Sequence, residues 1–118
     1  MLHKLLRAKI HRATVTAVEP DYAGSLTIDQ ELMDAVGILP GECLQVTDCD
    51  NGSRHWTYAM AGQSNSGTIC VNGAAAHLVN VGHKIIIMCF GYFSDEEARL
   101  LRPKIVLLDE ANRPLRGV

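Results

Sequence analysis

The chain has 118 residues, of which 47% are hydrophobic, and a formal net charge of −2. This length and apolar content predict one domain, residues 1–118, with a single core. The charge argues against nucleic-acid binding, which needs a basic surface, and the longest apolar runs are shorter than the roughly 18 residues of a membrane span. The first ten residues lack a small-residue cleavage site, so we expect a cytoplasmic protein without membrane partners.

Cysteines and histidines provide no recognisable redox or metal motif. The four cysteines lack C-x-x-C spacing, so we interpret them as reduced core residues: Cys43, Cys49, Cys70 and Cys89. The five histidines lack H-x-x-x-H spacing, and we therefore expect no metal site: His3, His11, His55, His77 and His83.

The first predicted strand covers residues 9–18, a run rich in β-branched side chains. Alternation places Lys9 and His11 on the same face as Ala13, Val15 and Ala17. The two polar side chains would then lie at the rim of the core. The alternative is that Lys9 and His11 are ordinary solvated surface groups.

Two capping-box patterns predict helices. Thr27 with Gln30 predicts a helix that runs to Val36. Ser94 with Glu97 predicts another, which ends before the proline at position 103. A third, smaller helix is expected over residues 74–79.

Short apolar runs predict the remaining strands, at residues 43–49, 54–61, 68–71, 85–90 and 105–108. Asn51-Gly52 predicts a tight hairpin turn with positive φ at both positions. Residues 112–118 are expected to form a loose tail. Many short strands with glycine-containing turns and a few short helices predict a mainly β fold, closed into a barrel.

Gly24-Ser25 is the pair that suggests chemistry. The Ser25 hydroxyl can attack the Gly24 carbonyl and convert the amide into an ester, and glycine leaves that approach unhindered. β-Elimination of the ester followed by hydrolysis would turn Ser25 into a pyruvoyl group with loss of ammonia. A glycine and a serine also occur together in ordinary turns, so the pair alone does not decide between the two interpretations.

Four stretches in this order resemble the pyruvoyl-dependent aspartate decarboxylases. They are Lys9-Ile10-His11-Arg12, Tyr22-Ala23-Gly24-Ser25, Arg54-His55-Trp56-Thr57-Tyr58 and Val71-Asn72-Gly73-Ala74-Ala75-Ala76-His77. The similarity extends to about Pro114, with His83 where the family usually has aspartate. It implies a double-psi β-barrel assembled as a homotetramer, self-cleaved into chains 1–24 and 25–118, and leaves room for a separate maturation factor.

The resemblance also implies the reaction and its residues. L-Aspartate would form a Schiff base with the pyruvoyl ketone derived from Ser25 and lose carbon dioxide to give β-alanine for pantothenate biosynthesis, without pyridoxal phosphate or metal. Tyr58 would donate the proton to the decarboxylated carbon. The implied substrate-binding residues are Lys9, Arg54, Thr57, Gly73, Ala74 and Ala75. The implied processing residues are His11, Tyr22, Gly24, Ser25, Thr57 and Asn72.

Two other classes of protein fit parts of the pattern. An N-terminal-nucleophile hydrolase would also cut before Ser25 but would keep the serine. A non-enzymatic regulator with a barrel fold would not cut at all. Without the resemblance, the segment from Arg54 to Tyr58 is explained as an exposed edge strand, and the segment from Gly73 to Ala75 as a helix start chosen for packing.

Overall fold

The computed structural model describes residues 1–115, and within that range the chain is mainly β, with eight strands in one sheet and three short helices. The strands are β1 (His3–Thr14), β2 (Ala17–Glu19), β3 (Leu26–Asp29), β4 (Cys43–Asp48), β5 (Arg54–Gly62), β6 (Ile69–Asn72), β7 (Lys84–Phe93) and β8 (Lys104–Leu107). The helices are α1 (Gln30–Val36), a 3₁₀ helix (Gly73–His77) and α2 (Asp95–Leu100). The predicted mainly β class with a few short helices is confirmed.

The sheet has the order β2-β6-β3-β5-β4-β7-β1-β8 and mixes parallel with antiparallel pairs. It encloses a core of fully buried aliphatic side chains, which include Ile10, Leu26, Ile28, Leu44 and Ile87. Strand β3 lies between β5 and β6, and this arrangement brings the chain immediately after Ser25 next to both of the later strands. None of the helices in residues 1–115 is long and apolar enough to cross a membrane.

A β-bulge in β1 overturns the predicted face of Lys9 and His11. Ile10 pairs with Ile87, but three residues later Ala13 pairs with Ile85, so β1 contains one extra residue, and Arg12 has a φ of 63°. An extra residue reverses the alternation of side chains. Ile10 and Ala13 are therefore both buried, whereas Lys9 and His11 are only partly buried on the other face.

The first helix begins later than predicted. Thr27 belongs to β3, and Asp29 is the N-cap of α1, with its side chain accepting a hydrogen bond from the Glu31 backbone N–H. Asp29 is buried and also accepts from the backbone N–H groups of Asn65 and Gly67. This carboxylate satisfies three backbone donors, which a Thr27 cap could not do, so Ser25 precedes a strand rather than a helix.

Asn51-Gly52 lies in the turn between β4 and β5 as expected, but the predicted turn geometry is wrong. Gly52 has a φ of 75°, whereas Asn51 does not adopt positive φ. The Asp48 carboxylate instead accepts hydrogen bonds from the backbone N–H groups of Asp50 and Asn51. A side-chain acceptor thus organises a longer turn in place of the two-residue primed turn.

The segment expected to be a loose tail is anchored by Asn112, which is 2% exposed. Its side chain accepts from the Thr14 backbone N–H and donates to the carbonyls of Thr14 and Gly67. Buried amide groups that are fully paired fix the chain around them. Residues 116–118 of the predicted tail lie outside the described residues.

Two of the four cysteines do not occupy the core positions expected of them. Cys70 and Cys89 are buried, but Cys43 and Cys49 are exposed. Cys43 lies opposite Tyr58 in the β4–β5 pair, on the outward side of the sheet. Burial raises the pKa of Cys89 to about 11, so that thiol remains protonated at neutral pH.

His83 forms a carboxylate contact that spacing in the sequence could not reveal. Its Nδ1 lies 2.6 Å from Oδ2 of Asp48, whose side chain is fully buried. This hydrogen bond raises the pKa of His83, against the smaller opposing effect of burial. With Asp50, the two residues form a cluster whose candidate ligand atoms lie within 4.8 Å of one another and could hold a metal ion.

The His83–Asp48 contact should make stability depend on pH. A histidine whose pKa is raised by folding stabilises the protein fully below its unfolded pKa of about 6.5, and this stabilisation is lost as pH rises through the folded pKa. We expect the melting temperature to fall more steeply above about pH 6.5 in the unmodified protein than in His83→Asn. The exposed His77, changed to Asn, is the matched control, and equal pH slopes for wild type and His83→Asn would refute the assignment.

Candidate active site

Gly24 and Ser25 lie in the connection between β2 and β3, and both have unusual backbone angles. Gly24 has a φ of 137° and Ser25 a φ of 91°. Positive φ is unfavourable for a serine and costs on the order of 1–3 kcal/mol unless the surroundings enforce it. Ser25 is nevertheless 2% exposed, so its conformation is fixed by packing.

Asn72, the last residue of β6, holds Ser25 in two ways. Its backbone N–H donates to the Ser25 carbonyl at 3.0 Å, and its side-chain Nδ2 donates to Ser25 Oγ at 3.0 Å. The same Nδ2 donates to Thr27 Oγ1 at 3.0 Å, and Oδ1 accepts from the Cys70 thiol at 3.2 Å. The nucleophile candidate is therefore fixed by a buried polar network.

The backbone at Gly73 lies very close to the backbone at Gly24. A Cβ at Gly73 would lie 2.8 Å from the Gly24 Cα and 2.9 Å from its nitrogen, distances that atoms cannot adopt. Gly73 also has a φ of 76°, which favours glycine. The absence of a side chain at Gly73 thus allows the chain after β6 to pack closely against Gly24.

A cavity of about 450 Å³ opens beside Ser25. It is lined by Glu19, Tyr22, Ala23, Gly24, Ser25, Thr27, Tyr58, Met60, Cys70 and Asn72. The Tyr58 ring adjoins the Gly24-Ser25 segment, because a Cβ at Gly24 would lie 3.8 Å from the Tyr58 hydroxyl oxygen. A reactive group formed from the Ser25 side chain would fit this cavity. Ser25 already lies at the cavity wall, where Asn72 is its polar partner and the Tyr58 phenol is nearby.

The structure brings together five of the predicted site residues at this cavity: Tyr22, Gly24, Ser25, Tyr58 and Asn72. Sequence reasoning did not assign the other five lining residues, Glu19, Ala23, Thr27, Met60 and Cys70. Met60 lies two positions from Tyr58 on β5, and Cys70 lies two positions from Asn72 on β6, so each shares the face of a predicted residue. Period-two alternation from Tyr58 and Asn72 is the signal that could have found these two.

Lys9 and Arg54, the two cations predicted to bind substrate, lie outside the cavity on an outward face of the sheet. Lys9, Met88, Gln45 and Trp56 form one cross-strand row, and Arg54 lies on the same side of β5 as Trp56. We call this the Trp56 face, defined by Lys9, Gln45, Arg54, Trp56 and Met88. Neither cation lines the Ser25 cavity of its own chain.

Thr57 and His11 are also outside the cavity lining. Thr57 lies opposite the buried Leu44 and so faces the core side of β5, away from Tyr58. His11 has a buried Nδ1 that has no hydrogen-bond partner within residues 1–115. Burial, followed by the charges of Lys9 and Arg12, lowers the pKa of His11. The functional roles of Thr57 and His11 stay predictions.

None of the three substrate-binding residues predicted at the start of the 3₁₀ helix lines the cavity. Gly73 is buried against Gly24, whereas Ala74 is exposed and Ala75 packs partly against the core. Neither alanine lines the cavity. Substrate binding by these three residues also stays a prediction.

Comparison with known proteins gives one consistent family. A family model described as aspartate decarboxylase matches residues 1–115. An aspartate 1-decarboxylase of Caldicellulosiruptor saccharolyticus is 52% identical over 96% of this chain and 88% of its own length. Those of Acetivibrio thermocellus and Desulfitobacterium hafniense are 50% and 47% identical, over 96% and 98% of this chain and 90% and 91% of their own lengths. The chain belongs to the aspartate decarboxylase family.

Proposed function

We propose that this chain cuts itself between Gly24 and Ser25 and then converts L-aspartate to β-alanine and carbon dioxide, the step that supplies β-alanine to pantothenate biosynthesis in the cytoplasm. The products of cleavage would be chains 1–24 and 25–118. One observation carries the proposal: in a member of this family, Ser25 is buried with strained φ and its Oγ is held by Asn72.

We propose that cleavage is an acyl shift between neighbouring residues. Ser25 Oγ forms a bond to the Gly24 carbonyl carbon, the Gly24–Ser25 amide bond breaks, and the hydroxyl proton ends on the Ser25 nitrogen. The positive φ of Ser25 favours this step, since cutting the amide frees the strained backbone. Asn72 keeps Oγ from turning away during the attack.

The cavity fits the pyruvoyl group that this cleavage can generate from Ser25. When present, that group supplies an electrophilic ketone and, beside it, an amide carbonyl that can take up the electrons released by decarboxylation, so we propose no pyridoxal phosphate and no metal in the reaction. Tyr58 lies next to Gly24 at the cavity and is our candidate proton donor. Asn72 would remain the polar partner at the position of Ser25.

Recognition of aspartate requires cations that the cavity of one chain does not provide. Among the described residues that line it, Glu19 is acidic and none is lysine or arginine. We propose that a second copy of the chain supplies Lys9 and Arg54 from its Trp56 face. Arginine suits a carboxylate because its guanidinium can bind both oxygens. A homotetramer, as the family resemblance implies, would satisfy this requirement.

The Trp56 face has the character of an assembly surface. Trp56 is 52% exposed, and Tyr58 and Met60 continue the same side of β5 at 43% and 49% exposure. Exposed aromatic residues in line on a sheet are typical of interface centres. This side of β5 also leads from the Trp56 face to the Ser25 cavity, so an interface here would bring one copy's cations close to another copy's site.

Trp56→Glu should therefore disrupt assembly and turnover together. A charge in the centre of an interface should weaken association by roughly 30-fold or more. Sedimentation velocity and β-alanine formation, measured across protein concentrations, check this expectation. Val81→Glu, at an exposed aliphatic side chain in a turn, is the matched control. A Trp56→Glu protein that assembles normally would refute the proposal that the Trp56 face is an interface between copies of the chain.

The proposed activity is tested by incubating the purified protein with L-aspartate and measuring β-alanine and carbon dioxide. We expect equal amounts of both products without added cofactor, and no loss of activity after treatment with a metal chelator. Borohydride added with aspartate should stop the reaction by a covalent link to chain 25–118. A cut chain that keeps its N-terminal serine and hydrolyses amides would favour the hydrolase alternative, and an uncut, inactive chain the regulator.

A further inference from the structure

We propose that Cys70 is a positioning residue for self-cleavage, because its thiol fixes the orientation of the Asn72 side-chain amide toward Ser25. This inference rests on the proposed function, since it assigns a new residue to the same site. Cys70 and Asn72 are two positions apart on β6 and both line the Ser25 cavity. They therefore share one face of the strand.

The polar network around Asn72 contains one group that can select between the two orientations of the amide. The hydroxyls of Ser25 and Thr27 can donate or accept, so either end of the amide would satisfy them. The Cys70 thiol lies 3.2 Å from Oδ1 and is a better donor than acceptor. The thiol thus favours the orientation in which Nδ2 faces Ser25.

Cys70 stays in the protonated form that this role needs. Burial, followed by the negative charge of Glu19, raises the pKa of its thiol. Cys70 is also only 9% exposed, so little water can compete for the Asn72 carbonyl oxygen. Donation from the thiol is therefore maintained over the pH range in which the protein is expected to work.

The orientation matters most at the step that follows the acyl shift. The Cα proton of Ser25 passes to solvent, its electron pair forms the Cα–Cβ double bond, and the Cβ–Oγ bond breaks, so Oγ leaves as part of the new Gly24 carboxylate. An N–H from Asn72 aimed at Oγ stabilises the negative charge that develops there. With the amide reversed, its carbonyl oxygen would face Oγ and repel that charge.

The test compares Cys70→Ala, Cys70→Val and Cys70→Ser by the rate at which the full-length chain disappears. Loss of one donor should slow cleavage in the alanine and valine variants by roughly 3- to 10-fold. A serine hydroxyl can donate to Oδ1 but can also accept, so Cys70→Ser should recover only part of the rate. Cys49→Ala, at an exposed thiol, is the matched control, and melting temperatures show whether each variant folds. A wild-type rate in Cys70→Ala, or no recovery at all in the serine variant, would overturn the inference.

A second measurement separates this inference from the proposed cleavage. In the uncut chain, the side-chain NH₂ signals of Asn72 in a ¹H–¹⁵N spectrum should shift or broaden in Cys70→Ala and change less in Cys70→Ser. A wild-type chain that never cuts would contradict the proposed function, and this spectrum would still decide the role of Cys70. Unchanged Asn72 signals in Cys70→Ala would contradict the inference even if cleavage is observed.

Discussion

Ser25→Ala is expected to leave the chain whole and without decarboxylase activity. The variant lacks the hydroxyl that attacks the Gly24 carbonyl and that later departs in the elimination, so neither cleavage nor pyruvoyl formation can occur. We expect no detectable β-alanine and a single species of full mass after prolonged incubation. The fold should survive, because alanine fits the volume of the buried serine.

Two variants control this experiment. Ser25→Cys should still cleave to some degree, because a thiol can perform the same acyl shift. Ser53→Ala, at a partly buried serine in the β4–β5 turn that lies outside the cavity lining, should cleave and turn over like wild type. Conversion of aspartate by Ser25→Ala at an appreciable rate would show that the pyruvoyl assignment is wrong.

Tyr58→Phe is expected to separate cleavage from turnover. The phenol is proposed to protonate the decarboxylated substrate and has no part in the acyl shift at Ser25. Loss of a positioned general acid should lower turnover by roughly 10²- to 10⁴-fold, while the cleaved fraction stays close to that of wild type. The measurement is β-alanine formed per cleaved chain, with the cleaved fraction taken from the mass spectrum of the same sample.

Tyr92→Phe is the matched control, since Tyr92 is an exposed tyrosine at 68% exposure that lies outside the cavity lining. It should show wild-type turnover. Full activity per cleaved chain in Tyr58→Phe would move the proton donor to water or to another side chain. It would also remove the main reason for placing Tyr58 in the chemistry.

Local patterns in the sequence predicted much of the fold because they depend on neighbouring residues. Ser94 with Glu97 does form a capping box, and α1 does end at Val36, where Gly37 caps it with a left-handed φ of 74°. The face of Lys9 was mispredicted because the bulge at Arg12 is set by pairing with β7, far along the chain. The anchoring of Asn112 likewise depends on distant backbone groups.

The sequence predicted those residues of the candidate site that come from family motifs and that neighbouring strands bring together. Ser25, Tyr58 and Asn72 come from three separate stretches, and the neighbouring strands β3, β5 and β6 bring them to one cavity. Lys9 and Arg54 do not join them within one chain, because they lie on the outward Trp56 face. Sequence motifs identify residues that act together but do not say whether one chain or several bring them together.

Intact-mass spectrometry of the purified protein shows directly whether the chain cuts itself and forms a pyruvoyl group. We expect two fragments that meet at Gly24-Ser25, with the larger about 17 mass units lighter than a serine-headed chain 25–118, because one ammonia is lost when the pyruvoyl group forms. A single species of full mass after long incubation would contradict self-cleavage. A larger fragment with the full mass of a serine-headed chain, in a sample that decarboxylates aspartate, would contradict the pyruvoyl group.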